Sequence, residues 1–122
     1  MGRRIAILAQ DLIWQDRLAR SVTAAGGEPV TATTAAAFED ALVGTEFALV
    51  DLTARAYDPL AAIERAVAAG ARVLAVGQHD DHELRKRALA IGADRVLAYR
   101  KLFEDGPGTI EGWLGRAAEV GR

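Results

Sequence analysis

The sequence predicts an α/β fold in which helices cover both faces of a parallel five-stranded sheet, a three-layer (βα)5 arrangement. Five apolar runs of strand length alternate with five segments of helical period along the chain. The stretches between successive runs have the length that a crossover between parallel strands needs, about a dozen residues or more. Because such crossovers are right-handed, the helices are placed on both faces of a doubly wound sheet.

The first strand–helix unit begins with an apolar strand, and the second begins with a strand that is more polar. The helix after the first strand carries an apolar residue at every fourth position, at Trp14, Leu18 and Val22. Since a polar strand suits the edge of a sheet, the second strand is predicted there. The predicted elements are a strand at residues 5–9, a helix ending at Gly26 and Gly27, a strand at 29–33 and a helix at 35–43.

The remaining three units repeat the alternation. Their strands are predicted at residues 47–52, 73–76 and 95–98. The apolar positions of their helices are Leu60, Ile63 and Val67 in a helix with Pro59 in its first turn, Leu84, Ala88 and Ile91 in a helix capped by Asp81, and Ile110, Trp113, Leu114 and Ala117 in the last helix. The turn at residues 10–13 lacks the G-x-G-x-x-G sequence of dinucleotide-binding folds, which favours the flavodoxin-like strand order 2-1-3-4-5.

Composition excludes several classes of protein. The 122 residues fit one domain, with a core at about residues 3–115 and a tail at 116–122 that is expected to fray. The absence of cysteine excludes disulfides and thiolate metal sites. No apolar run approaches the roughly 18 residues of a membrane span, and the start of the chain reads as a strand rather than a secretory signal. A formal net charge of −2 gives no footprint for nucleic acid, so a cytoplasmic protein is expected.

Asp51 is the strongest candidate site residue, because it follows an apolar run that is typical of a strand buried on both faces. In the predicted strand order, Asp11 lies in the turn after the neighbouring first strand, so the two carboxylates face each other in the crevice at the carboxyl ends of the strands. Converging carboxylates repel unless a proton or cation lies between them, and Mg²⁺ takes such ligands. The alternative is that both are strand-end or cap residues, since aspartate is a preferred N-cap.

The segments ILAQD (7–11), ALVDL (48–52) and AIGAD (90–94) lie in the order and spacing of one known family. Over nearly its whole length the chain resembles the receiver domain of bacterial response regulators, the CheY-like family. The resemblance implies that Asp51 is the phosphoacceptor, that Asp11 is one of the acids holding Mg²⁺, and that the backbone carbonyl of Thr53 completes the metal's protein ligands. It also implies a two-component or phosphorelay system with a histidine kinase or a downstream effector as partner.

The sequence departs from this family at the positions that operate its switch. One of the two adjacent acids after the first strand is Gln10, so metal affinity should fall. The switch serine or threonine aligns with Gly77, and the family's lysine aligns with Tyr99. Lys101 follows two residues later and would reach the site if a two-residue bulge preserved strand parity. These changes predict an atypical receiver, or pseudo-receiver, with a weakened or lost phosphorylation switch.

Basic residues predict a surface for a protein partner. Arg85, Lys86, Arg87 and Arg95 cluster on the side formed by the fourth helix and fifth strand. The resemblance implies that this face, with the last helix, serves dimerisation and partner binding, so an acidic partner or a homodimer is expected. The alternative is an ordinary solvated helix face. The segment HDDHE (79–83) has metal-binding residue types, but its position at a helix start favours a solvated cap.

Three functions remain open from the sequence. The first is an interaction module without a working switch, and the second is a phosphorylatable receiver with Asp51 as acceptor and Mg²⁺ at Asp11. The third is a small-ligand-binding domain on a flavodoxin-like frame. No nucleophile elbow, zinc-protease motif or phosphate-cradling loop is present, so an independent enzyme is not expected. The geometry around Asp51 should discriminate the first two functions.

Overall fold

The computed structural model describes the backbone of residues 3–78 and 80–120 and the side chains as far as residue 115. In this part of the chain, strands and helices alternate from end to end. They are β1 (Arg4–Leu8), α1 (Leu12–Ala24), β2 (Glu28–Ala32), α2 (Ala35–Leu42), β3 (Phe47–Asp51), α3 (Pro59–Ala68), β4 (Arg72–Gly77), α4 (His82–Ala90), β5 (Arg95–Ala98) and α5 (Tyr99–Val120). The strands form one parallel sheet in the order β2-β1-β3-β4-β5, which confirms the predicted fold class.

Four helices begin at a side chain that accepts hydrogen bonds from the first turn. Such N-caps replace partners that the first N–H groups of a helix lack, and each stabilises by about 1 kcal/mol. The capping residues are Asp11 in α1, Thr34 in α2, Asp58 in α3 and Asp81 in α4. Beyond the end of α1, Gly26 has φ of 89°, a left-handed conformation that glycine adopts without strain. The predicted cap at Asp81 is confirmed.

The sheet separates two apolar clusters. Successive residues of β1 and β3 alternate between the faces, so Leu8 and Val50 pack with α2, α3 and α4, whereas Ile7 and Leu49 pack with α1 and α5. Every residue of β3 is buried, as expected for a central strand covered on both sides. This placement brings the N-termini of α1 and α5 to the same edge of the sheet as the carboxyl end of β3.

The structure differs from the sequence prediction at three places. Val67 is more exposed than predicted, and the buried stripe of α3 is formed by Ala62, Ile63 and Ala66 instead. The last helix begins at Tyr99, directly after β5, and bends at Asp105, whose side chain accepts the N–H of Gly108 and so starts a second helical segment. Most other boundaries differ by one residue, whereas β5 is as predicted.

Some predictions lie outside what the structure tests. The expected fraying of residues 116–122 and the burial of Ala117 fall on side chains and a terminus that are outside the described residues. The assignment of residues 1–122 to a single domain stays a prediction. No helix in the described part of the chain is long and apolar enough to cross a membrane.

Candidate functional site

The candidate site lies at the carboxyl ends of β1 and β3, which are neighbours in the sheet. Leu8, the last residue of β1, pairs with Val50, and Asp51 follows as the last residue of β3, where it pairs with Val76 of β4. Only 3% of Asp51 is exposed. A carboxylate so buried needs hydrogen-bond donors in place of water. Its surroundings therefore decide its chemistry.

All the hydrogen bonds that described residues donate to the Asp51 side chain go to one of its two carboxylate oxygens. Oδ1 accepts from the backbone N–H of Thr53 at 3.0 Å and from the Thr53 hydroxyl at 2.9 Å. The Tyr99 hydroxyl donates a third, short hydrogen bond to the same oxygen. The hydroxyls of Thr53 and Tyr99 are also within hydrogen-bond reach of each other. Two side-chain hydroxyls and a backbone amide thus surround Oδ1 of Asp51.

Two features position Tyr99 beside Asp51, namely its place in the chain and a contact of its ring. It is the first residue of α5, one position after β5, and its ring makes an edge-to-face contact with Trp14 of α1 at 4.6 Å between centroids. Burial first, and then the hydrogen bond to Asp51, raise the pKa of the Tyr99 hydroxyl above its usual range. The phenol is therefore protonated at neutral pH and acts as a donor to the carboxylate.

Lys101 does not replace Tyr99. The β4–β5 pairing runs in continuous register to Gly77 and Ala98, so β5 contains no bulge that would return a later residue to the site. Lys101 lies two residues into α5, where its side chain is exposed. The bulge on which a role for Lys101 depends is therefore not present in β5, because the chain turns into a helix immediately after the strand.

Gly77 leaves no open space for a larger side chain. It is the buried last residue of β4, and the Leu52 side chain packs directly over it. A Cβ atom at position 77 would lie 3.2 Å from Leu52 Cδ1 and 3.4 Å from Leu52 Cβ. A serine or threonine there would require Leu52 to move. Leu52, directly after β3, and Gly77 thus pack together at the position where the resemblance to receiver domains implies a serine or threonine hydroxyl.

The side chains of Gln10 and Asp11 both accept hydrogen bonds from backbone N–H groups. Asp11 Oδ1 accepts from Ile13 N–H at 2.9 Å and Trp14 N–H at 3.0 Å, so the alternative of an N-cap is observed. Gln10 Oε1 accepts from the N–H groups of Arg55 and Ala56 at 2.8 and 3.0 Å. The amide of Gln10 therefore ties the β3–α3 loop to the end of β1. Sequence reasoning assigned Gln10 only a missing charge and did not find this role.

Tyr57 is a second site residue that sequence reasoning missed. Its hydroxyl lies 2.8 Å from the backbone oxygen of Asp51 and 3.2 Å from that of Leu8, so it bridges the ends of β3 and β1. Burial, and secondarily the negative charge of Asp51, raise the pKa of Tyr57 above its usual range. A large aromatic residue in a loop otherwise rich in small and charged residues was the available signal.

The residues present offer few free oxygens to a resident Mg²⁺ ion. Mg²⁺ requires near-octahedral oxygen coordination. Asp11 and Asp51 supply two carboxylates, each with one oxygen already accepting two or three hydrogen bonds, and the Gln10 oxygen is taken by the loop. Among the described residues, no group of three or more acidic, histidine or cysteine side chains is placed to hold a metal. The donor set is therefore poor for a hard cation.

Two adjoining clefts open onto Asp51. One, of about 440 Å³, is lined by Asp11, Ile13, Trp14, Asp51, Thr53 and Tyr99. The other, of about 430 Å³, is lined by Gln10, Asp11, Asp51, Thr53, Ala54 and Arg55. Both share the two carboxylates and Thr53, but the first has aromatic and aliphatic walls. The structure thus brings together Asp11, Asp51, Thr53 and Tyr99 of the predicted site.

The predicted basic surface is only partly continuous. Arg85, Lys86 and Arg87 are exposed side by side on α4, whereas Arg95, at the start of β5, is partly buried and has an interaction partner of its own. Asp81 caps α4, and His79 lies outside the described residues. A partner surface on α4 stays a prediction.

Comparison with known proteins places this geometry in a familiar fold. No protein-family model matches the sequence, and no curated protein matches it significantly. The CheY-like receiver domain protein of Methanospirillum hungatei superposes with a TM-score of 0.79 at 21% identity, covering 98% of this chain and 99% of that one. A Burkholderia pseudomallei protein described as pilus assembly-related gives 0.76 at 25% identity, covering 96% and 90%.

A third similar structure is a Burkholderia pseudomallei response regulator with a phosphorylated aspartic acid, calcium ion and citrate. It gives a TM-score of 0.71 at 21% identity over 80% of this chain, and the match spans 59% of that protein's length. The chain has the fold of response-regulator receiver domains. The resemblance read from the sequence is confirmed at the level of the fold.

Proposed function

We propose that this chain is an atypical receiver domain of a bacterial two-component or phosphorelay system that acts by binding other proteins without a phosphorylation switch. The observation that carries the proposal is the Tyr99 hydroxyl bound to Asp51 Oδ1, together with the Thr53 hydroxyl. A phosphoryl group on Oδ1 would displace both donors, and one on Oδ2 would find the Tyr99 hydroxyl already bound to the carboxylate. The partner would be a histidine kinase or a downstream effector in the cytoplasm, and the domain would have no catalytic activity of its own.

Energetics support a lost switch. A modification shifts a two-state equilibrium only through contacts that differ between the states, and a shift from 1:99 to 99:1 needs about 5.5 kcal/mol. Hydrogen bonds to charged groups contribute roughly 1.5 to 3 kcal/mol each. At this site, Gly77 offers no hydroxyl and Tyr99 offers a neutral donor that Asp51 already uses. The free energy that phosphorylation could supply to shift the equilibrium is therefore small.

A phosphorylatable receiver with Mg²⁺ at Asp11 is the second candidate. It is favoured by the position of Asp51 at the carboxyl end of β3 and by the phosphorylated aspartic acid in one structure of the same fold. Small-ligand binding on this frame is the third, supported by the clefts beside Asp51. The first candidate is preferred because the hydroxyls of Thr53 and Tyr99 already hydrogen-bond to the Asp51 carboxylate.

Titration with beryllofluoride and Mg²⁺ tests the proposal, because this anion mimics an acyl phosphate on aspartate. We expect no saturable NMR shifts at millimolar Mg²⁺, since the donor set is poor for the cation and Tyr99 occupies the carboxylate. Asp51→Asn is the control for shifts that arise elsewhere. Saturable shifts in the unmodified protein that vanish in Asp51→Asn would establish a working acceptor and refute the proposal.

A double variant should restore the missing chemistry. Gln10→Glu keeps an oxygen for the Arg55 and Ala56 N–H groups and adds a carboxylate, while Tyr99→Lys removes the hydroxyl and adds a cation beside Asp51. We expect saturable beryllofluoride shifts in Gln10→Glu/Tyr99→Lys and their loss when Asp51→Asn is added. Equal, silent titrations of the double variant and the unmodified protein would show that these two positions do not limit the site.

A further inference from the structure

The cleft between α1 and α5 carries negative charge that no ion pair described for this chain neutralises. The hydrogen bonds to Asp11 and Asp51 all go to Oδ1 of each carboxylate, so they leave Oδ2 of both as acceptors. The ion pairs among the described residues join Arg20 to Asp16, Arg65 to Glu39, Arg72 to Asp94 and Arg100 to Glu104. A pair of carboxylates at one cleft attracts a cation.

The walls of this cleft are apolar, and they discriminate between kinds of cation. Trp14 and Tyr99 form one wall through their edge-to-face contact, and Ile13, which is 78% exposed, also lines the cleft. Its neighbour in sequence, Leu12, is 67% exposed. A hydrated metal ion gains nothing from such walls. An ammonium group on an alkyl stem can place its charge at the carboxylates and its methylene groups on the rings.

We infer that this cleft, of about 440 Å³, receives a lysine side chain presented by a partner protein, with its ammonium group at Asp11 and Asp51 and its stem against Trp14 and Ile13. The inference rests on the proposed function, because it requires Asp51 to remain unmodified. The partner would present a basic side chain flanked by apolar residues that cover Leu12 and Ile13. An acidic partner segment would be repelled at this edge of the domain.

The arrangement at the base of the cleft suits a reversible contact. Asp51 is fixed by Thr53 and Tyr99, so its free oxygen is already oriented and little side-chain entropy is lost on binding. Asp11 is likewise fixed by capping α1. Both carboxylates line the same cleft as the Tyr99 ring.

Titration with Nα-acetyl-lysine amide tests this inference in the full chain. We expect a saturable shift of the Trp14 indole N–H signal and of the Thr53 and Tyr99 amides, while the indole of Trp113, which is buried on the sheet and bonded to Asp94, stays unchanged. Nα-acetyl-norleucine amide, which has the same stem without the charge, should leave all these signals unshifted. Equal shifts with both probes, or none with the lysine probe, would overturn the inference.

Two aspartate variants of α1 give a matched comparison. Asp11→Asn removes one of the two negative charges in the cleft and keeps an N-cap, because asparagine caps as well as aspartate. Asp16→Asn removes the same charge from an exposed residue that pairs with Arg20 outside the cleft. We expect Asp11→Asn to weaken binding of the lysine probe roughly threefold to fivefold, as for a partly exposed ion pair, and Asp16→Asn to leave it unchanged. Equal effects of the two variants would contradict the site.

Mg²⁺ provides the last arm of the test. Millimolar Mg²⁺ that shifts the same signals and displaces the lysine probe would assign the cleft to a metal and overturn the inference. The outcome is separable from that of the proposed function: a silent lysine titration with a silent beryllofluoride titration removes only this inference, whereas a beryllofluoride response at Asp51 in the unmodified protein removes the proposed function.

Discussion

Trp113→Ala is expected to lower the free energy of unfolding by about 3 to 5 kcal/mol, the range for removing a buried tryptophan from a core. Trp113 is 2% exposed and is one of the largest buried side chains described. Its ring packs edge-to-face on Phe47 of β3 at 5.3 Å, so it joins α5 to the centre of the sheet. Since small domains are stable by about 5 to 15 kcal/mol, this variant should be close to unfolding.

Urea denaturation followed by circular dichroism measures this loss. Trp113→Phe is the matched control, because it keeps an aromatic ring against Phe47 and removes only the larger ring and the weak 3.4 Å hydrogen bond from Nε1 to Asp94. We expect the control to lose roughly a third of what Trp113→Ala loses, because volume is removed but most packing remains. A Trp113→Ala protein within 1 kcal/mol of the original would mean that α5 contributes little to the core.

The strands and their order were predictable because the signals that define them are local. Continuous apolar runs identified β1, β3 and β4, and the polarity of β2 identified it as an edge strand. The position of Asp51 followed from the same pattern, since the last residue of a buried strand must lie at the edge of the sheet. These inferences needed only periodicity and the length of the crossovers.

The contacts of the site were not predictable because they join residues that are distant in sequence. Whether Tyr99 reaches Asp51 depends on where α5 begins and on how Trp14 orients the ring, which no local period specifies. Similarly, nothing in the sequence near Gln10 indicates that its amide would hold the N–H groups of Arg55 and Ala56. The α5 start was missed because residues 99–104 carry no clear apolar stripe and are followed by Gly106, Pro107 and Gly108.

Stability is expected to fall as the pH rises above about 10, where tyrosine ionises in an unfolded chain. The folded-state pKa of Tyr57 is raised above the usual range for tyrosine, chiefly by burial and secondarily by the charge of Asp51. Above this pH the unfolded chain releases the phenolic proton while the folded chain retains it. The folded state then binds more protons, so the free energy of unfolding decreases with pH.

The slope of this loss is up to about 1.4 kcal/mol per pH unit for each tyrosine that stays protonated in the folded state. Tyr57 and Tyr99 should both contribute, because burial raises the pKa of each hydroxyl above its usual range. Urea midpoints measured between about pH 8 and pH 11 would show the decline. A free energy of unfolding that stays level between about pH 10 and pH 11 would contradict the burial of the Tyr57 hydroxyl.

Tyr57→Phe separates this titration from general alkaline repulsion. At neutral pH the variant should be less stable by about 1 kcal/mol, because it loses the hydroxyl that bridges the backbone oxygens of Asp51 and Leu8. Above pH 10 its stability should fall less steeply than that of the original protein, since one ionising phenol is absent from its unfolded state. The two curves should therefore converge with rising pH, whereas parallel curves would assign the alkaline loss to other groups.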